Sequence, residues 1–328
     1  MRPPQAASLP HLVLGADIGG TNLRVALADS TGRILDSERA STAGGRDPLL
    51  VVSKIREFAS ALLTRQDVPA SALRAVGAGA PGLTDTDRGV VLMTSYLMGW
   101  QDVPLRAYLE DAFGIPAAID NDVNLAALGE SRAGVAQSVD DFVFLAIGTG
   151  IGAGIVLGRR VHRGSNWRAG EVGYLLVPGV SEEPVPDGDP GAFEAQAGGE
   201  GIRQQWLNRW SLECTPLARD LTATQIFDHA RADDALAAAV LHDAARVLSY
   251  GIYNLALVLD CPLFVLGGSV GLHPALAEEM RGILNRLDCH APPRIVPSAL
   301  GDQAQITGAV HLALERAALT APATGSTA

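Results

Sequence analysis

At 328 residues and 48% hydrophobic composition, the chain is long enough to bury a large core and to divide into two domains. Its formal net charge of −11 excludes a nucleic-acid surface, because phosphate backbones are bound by clustered Lys and Arg. The longest apolar runs are too short to span a bilayer, the first ten residues lack the pattern of a secretory leader, and Cys214, Cys261 and Cys289 are too scattered for a disulfide framework or a zinc knuckle.

The expectation is therefore a cytoplasmic protein with no membrane or nucleic-acid partner. In chain order, the apolar run His11–Leu14 and the alternating run Leu23–Leu27 predict two strands joined by a glycine turn, with Asp17 at the end of the first. Glycines in such a turn can take positive φ and let backbone N–H groups approach an anion closely. Asp17 would repel a phosphate there unless a hard cation sat between them. An ordinary hairpin with an exposed Asp is the alternative that this stretch alone leaves open.

A third strand is predicted at Arg33–Ser37, then a helix over Asp47–Thr64 from the spacing of Leu50, Ile55, Phe58 and Leu62, opened by Asp47-Pro48. Further strands fall at Ala75–Ala80 and Ala117–Ile119, with a short helix at Leu105–Phe113 between them. Asp120-Asn121-Asp122 then leads into helix-forming Val123–Glu130, placing carboxylates at a strand-to-helix junction. A plain helix cap is the alternative for Asp122 that this stretch alone leaves open.

The opening format then returns about 130 residues later: strand Phe142–Ile147, glycine turn Gly148–Gly152, strand Ala153–Leu157. This repetition predicts two related α/β halves with ligand between them. Val177–Ala192 reads as a surface loop, Ala218–Leu259 as mostly helical, Leu263–Leu266 as a buried strand entering Gly267-Gly268-Ser269, and Gln303–Ala318 as the final helix. No GxxxxGK[ST] segment is present, which removes a Walker-type loop. The GxGxxA match at Gly148–Ala153 lacks the helix and the acidic residue that a dinucleotide site needs, since a β-rich strand ending in Arg159-Arg160 follows.

The motifs are more specific as an ordered set than singly. They are DIGGTNLR at 17–24, GAPGLTD at 79–85, DNDVN at 120–124, GTGIGAGIV at 148–156, AGEVGY at 169–174 and VLGGSV at 265–270. From about His11 to about Ala318 the chain resembles the ROK family of bacterial sugar kinases and repressors, within the hexokinase, actin and Hsp70 ATPase superfamily. The resemblance implies an α/β fold of two related ribonuclease-H-like domains, the actin-like ATPase fold, with an active-site cleft between them. The small domain would run over 11–121 with a returning helix at 304–320, and the large one over 122–303. Residues 1–10 and 321–328 would be disordered tails.

By the same resemblance, Asp17, Gly19, Gly20, Thr21, Asn22 and Arg24 form the first phosphate loop, and Gly148, Thr149, Gly150 and Gly152 the second. Gly267 and Gly268 contact adenosine. Asp122 is the catalytic base, and Gly79, Asn121, Glu171, Tyr174 and Glu194 lie on the sugar side. ATP and Mg2+ are the implied cofactors, with Asp17 at the metal. The chemistry is coherent, because phosphoryl transfer asks chiefly for in-line positioning and offset charge. A carboxylate of ordinary pKa is a poor base toward a sugar alcohol, yet it can orient the hydroxyl and take its proton late.

The chain departs from the family at three places. Tyr174 replaces a histidine that serves metal and sugar, Val177–Phe193 lacks the cysteines of the family zinc motif, and Tyr96 replaces an asparagine. No structural zinc is expected; Pro178, Pro184, Pro186 and Pro190, with Tyr174 packed in the histidine's place, are expected to order that loop instead. The ten residues ahead of His11 leave no room for the DNA-binding domain of ROK repressors, so the expectation is a glucokinase-like kinase acting on the C6 hydroxyl of glucose or a related hexose or N-acetylhexosamine. The alternative is a sugar-sensing protein of the same fold that has lost turnover. The oligomeric state stays open, a homodimer being one option.

Overall fold

The computed structural model describes residues 11–42, 47–94, 97–177, 189–288 and 291–320. Tyr96, Pro178, Pro184, Pro186, Cys289 and both proposed tails lie outside the described residues. The chain divides into two compact units, Met1–Arg132 with Gln305–Ala328, and Ala133–Ala304.

The first unit opens with strands β1 (Leu12–Ile18), β2 (Asn22–Ala28) and β3 (Ile34–Ser41), followed by helix α1 (Pro48–Arg65) and strand β4 (Leu73–Ala80). A small sheet, β5 (Leu83–Asp85), β6 (Val90–Met93) and β7 (Gln101–Val103), precedes α2 (Leu105–Phe113), β8 (Ala117–Asn121) and α3 (Asp122–Ala133). The second unit carries β9 (Phe142–Ile147), β10 (Ile151–Leu157), β11 (Arg160–His162), α4 (Ala192–Ala197), α5 (Gly199–Arg209), α6 (Ala223–Arg231) and α7 (Ala235–Leu259). It continues through β12 (Leu263–Gly267), α8 (Gly268–Gly271), α9 (Pro274–Leu287) and β13 (Arg294–Pro297), after which α10 (Ala304–Thr320) returns to the first unit.

The two main sheets have one plan. Their strand orders are β3-β2-β1-β4-β8 and β11-β10-β9-β12-β13. In each, an antiparallel meander is extended by two parallel strands. The expected repetition of format is thus a repetition of topology.

Local sequence explains the helices that flank these sheets. Asp47 caps α1 by accepting from the Leu49 N–H at 2.9 Å, Pro48 presets its first turn, and Val51, Val52, Ile55, Phe58 and Leu62 form its buried face. The long α7 starts at Asp234, whose carboxylate accepts from Ala237 N–H at 2.8 Å, and it supplies Val240, Ala244, Leu248 and Ile252 to the second core.

In the first unit, glycines on one face of the sheet let helices approach. A Cβ on Gly15 would lie 2.8 Å from Val310 Cγ2 of α10, and Gly77 likewise faces the α10 backbone at Ala309. A Cβ on Gly79 would lie 2.7 Å from Leu125 Cδ1 and 3.6 Å from the Asp122 Cα, both on α3. This contact corrects a boundary: α3, assigned from sequence to the large domain, packs on the first unit, which ends at Arg132.

Candidate active site

The first unit gathers its candidate residues through strand register. Asp17 pairs with Arg24 across β1 and β2 and with Gly79 across β1 and β4, and Gly79 pairs with Asp120 on β8. With no side chain at Gly79, the first turn of α3 settles over the sheet there and brings Asp122 beside Asp17. Both carboxyls are half-buried. Burial, then the charge of Asp122, raise the Asp17 pKa to about 7 against the opposing pull of Arg24 and Arg39. Burial likewise raises Asp122 to about 6, opposed by hydrogen bonds from the Val123 and Asp122 N–H groups.

Asp122 therefore titrates near neutrality, where a general base works best, rather than as the ordinary carboxyl read from sequence. Its place is fixed by a local network. Asn121 Oδ1 accepts from the N–H groups of Val123 and Asn124 at 2.8 and 3.1 Å, and Asn121 Nδ2 donates to the Gly82 carbonyl at 3.0 Å. The helix cap is thus Asn121, whose amide is largely consumed, leaving one N–H for another partner. Buried Asp120 accepts from Asn121 N–H at 2.8 Å and Asn124 Nδ2 at 3.0 Å. Asp120 and Asn124 hold the segment that carries Asp122, a part sequence reading did not give them; its signal was an amide four residues after the buried acid.

The turn between β1 and β2 is built without left-handed glycines. Neither Gly19 nor Gly20 uses the positive φ open to a glycine. Gly19 N–H instead donates to the Asn22 carbonyl at 2.8 Å, and a Cβ on Gly19 would lie 3.1 Å from that oxygen. Thr42, just past β3, donates from Oγ1 to the Gly20 carbonyl at 2.8 Å and from its N–H to the Thr21 carbonyl at 3.0 Å. Thr21 and Asn22 are exposed at the tip, bonded to each other through Asn22 Nδ2 and Thr21 Oγ1 at 2.9 Å.

In the second unit, the turn between β9 and β10 is held from behind by α5. Gly199 N–H donates to the Gly148 carbonyl at 2.8 Å and Glu200 N–H to the Thr149 carbonyl at 3.3 Å. Gly148, Gly150 and Gly152 also lack positive φ, and a Cβ on Gly148 would meet nothing within 4 Å. At Gly148 this leaves an open approach to the backbone. Glu194 on α4 accepts from the Ile151 N–H through Oε2 at 2.7 Å, tying this carboxylate to the start of β10.

Gly173 lies between these parts, since a Cβ there would be 2.8 Å from the Ile151 carbonyl and 3.3 Å from Glu194 Oε2. Glu171, half-buried, precedes that contact by two residues. Tyr174 is 47% exposed, so it does not take the packing role expected of it; Val172 and Gly173 are the buried residues of this turn. Gly267 packs on the Phe144 ring, and Gly268, with φ of +78°, lies against the Ile147 backbone. Both glycines thus have a structural use independent of any ligand.

Among the described residues, no group of three or more His, Cys, Asp or Glu side chains forms a metal cage, and no helix is long and apolar enough to cross a membrane. Asp17 offers a hard oxygen donor of the kind that magnesium held jointly with a nucleotide's phosphates takes from a protein, so it fits that ion.

Comparison with known proteins gives the relatives of the chain. A glucokinase from Halalkalibacterium halodurans is 30% identical over 308 residues, spanning 90% of this chain and 92% of that protein. A putative xylose repressor from Caldicellulosiruptor sp. is 27% identical, over 92% of this chain and 78% of its own. The crystal structure of a ROK family glucokinase from Streptomyces griseus in complex with glucose and AMPPNP superposes with a TM-score of 0.72 at 28% identity, covering 93% of this chain and 99% of that one. The ROK family model matches residues 13–316, and with the doubled actin-like ATPase fold this shows that the chain belongs to the ROK family.

Proposed function

We propose that the protein is an ATP- and Mg2+-dependent sugar kinase that phosphorylates the C6 hydroxyl of glucose or a related hexose or N-acetylhexosamine. The observation that carries this reading is the convergence of Asp17 and Asp122 over Gly79, with pKa values of about 7 and 6. Asp122 orients the sugar hydroxyl and accepts its proton as the oxygen attacks the γ-phosphorus. The bond from that phosphorus to the bridging oxygen breaks, and ADP leaves with the electron pair. Magnesium bound with the nucleotide supplies neutralisation of the phosphate charge, and Asp17 is the protein's contribution to holding it.

The remaining roles are those that the family resemblance implies. Gly19, Gly20, Thr21, Asn22, Arg24, Gly148, Thr149, Gly150 and Gly152 are the phosphate-binding residues of this reading. Gly267 and Gly268 lie against adenosine. The free N–H of Asn121, Gly79, Glu171, Tyr174 and Glu194 serve the sugar. A glucokinase relative, and a relative crystallised with glucose and AMPPNP, support this assignment.

A sugar-sensing protein without turnover is the second reading, favoured by the similarity to a xylose repressor and by Tyr174 in the histidine's place. One assay separates the two: ADP release from ATP and Mg2+ across a panel of hexoses. Sugar-dependent release establishes the kinase. Saturable sugar binding without release establishes the sensor.

A further inference from the structure

The register of the first sheet continues past Arg24. Arg39 on β3 stands directly opposite Arg24 on β2, which itself stands opposite Asp17 on β1. Residues so paired share a face, so Asp17, Arg24 and Arg39 form one row across three strands. It is the face of Gly15 and α10, two residues along β1 from Asp17.

Like charges directly opposite each other destabilise a sheet, and this row holds two arginines to one acid, Asp17. Arg39 is exposed and makes no hydrogen bond or ion pair with a described residue, whereas Arg33 binds Asp29 at 3.1 Å. The acids flanking Arg39 are committed elsewhere: strand periodicity turns Asp36 and Glu38 to the opposite face, where both bind Arg65 of α1. The end of β3 is also fastened to the glycine turn through Thr42, so Arg39 is held at a fixed distance from it.

We propose that Arg39 is a phosphate-binding residue, the outer member of a two-arginine clamp with Arg24 that holds a phosphoryl group of the donor at the mouth of the first glycine turn. This rests on the phosphoryl-transfer reading above. An anion between the two guanidinium groups turns their repulsion into two charge-assisted contacts.

The test compares Arg39→Gln with Arg33→Gln in the full chain. Calorimetry measures binding of ATP and of inorganic tripolyphosphate at two salt concentrations, and steady-state assays give kcat and the KM for ATP. Arg39→Gln should weaken both anions by about tenfold or more, flatten the salt dependence and raise KM for ATP with little change in kcat, while Arg33→Gln leaves all of these unaltered. Should Arg39→Gln fail to fold, Arg39→Lys retains charge without the planar fork and should show an intermediate loss.

Equal effects of the two Gln variants, unchanged binding in Arg39→Gln, or a parent protein that binds neither probe would overturn the clamp. Turnover with a KM indifferent to position 39 would remove the clamp and keep the kinase. Arg39-dependent tripolyphosphate binding without turnover would do the reverse.

Discussion

The β1–β2 turn and the β9–β10 turn occupy equivalent places in two sheets of the same strand order, yet they are equipped differently. The first is charged, with Asp17, Arg24 and Arg39 in one row and Asp122 added by α3. The second carries no charged side chain between Gly148 and Gly152; its carbonyls are engaged by α5, and one of its N–H groups, that of Ile151, by Glu194. One scaffold, used twice, has been divided between charge chemistry and a backbone cradle. The division teaches that the repeated fold fixes where a loop is, while the residues at its register positions fix what it does.

The largest effect should come from the charged half. Asp122→Asn is expected to lower kcat by ~10²-fold or more with sugar affinity retained, a loss of the size typical for a general base. Steady-state kinetics alongside sugar calorimetry check this, and turnover at the parent rate would move the chemistry away from α3. Asp17→Ala is expected to weaken the Mg2+ dependence of activity. A Mg2+ titration identical to that of the parent would take Asp17 off the cation.

The same pair makes stability depend on pH in the metal-free protein. Its carboxyls keep their protons to about 7 and 6 in the folded state, against a value of 3.8 without the fold's influence. Between those values the unfolded chain has released protons that the folded chain still holds, so stability falls as pH rises through the window and levels off above it. Melting temperature should therefore decline from about pH 4 to about pH 7, in step with these raised values, and Asp17→Asn should flatten the decline while matching the parent near pH 4. A parent protein whose stability rises across this window would contradict the burial of the pair.

The cradle half should respond more mildly, and through packing. A Cβ at Gly199 would lie 2.6 Å from the Gly148 carbonyl, so Gly199→Ala should cost about 1–3 kcal/mol of stability and raise KM for ATP more than it lowers kcat. Glu194→Gln keeps an oxygen for the Ile151 N–H and should be tolerated better than Glu194→Ala; denaturant melts rank the three variants. Smallest of all should be the effect of a chelator. The segment from Val177 to Phe193 has neither Cys nor His, so elemental analysis should find no stoichiometric zinc and the melting temperature should not move. Bound zinc would mean that ligands come from elsewhere in the chain.

Elements governed by local signals were legible from sequence. The Asp47-Pro48 cap, the two glycine hairpins and the acid-rich junction before α3 all correspond to elements of the fold. The small sheet β5–β7 went unread, because strands of three or four residues draw their stability from pairing that no local pattern announces. Helices α5 and α9 were missed as well. Glycines crowd the start of α5, and their role in meeting the Gly148 carbonyl appears only once β9 is in place.

Residue types named the first turn's chemistry, but its energetics needed the fold. The raised values of Asp17 and Asp122 come from Gly79 admitting α3, a contact between positions more than forty residues apart. The row that ends at Arg39 depends on the β2–β3 register. The strand read from sequence stopped at Ser37, short of Glu38 and Arg39, whereas β3 runs on to Ser41.

The central claim is that Asp17 and Asp122 form one carboxyl pair, held partly protonated near neutrality and ready to receive a cation with a nucleotide. Carbon NMR of the full chain with labelled aspartate carboxyls tests this most directly, using Asp17→Asn and Asp122→Asn to assign the signals. The account predicts two carboxyls titrating near pH 7 and pH 6 in the metal-free protein, and a downward shift of at least the Asp17 signal when Mg2+ and AMPPNP are added. Two carboxyls titrating near 4 and indifferent to magnesium and nucleotide would contradict it.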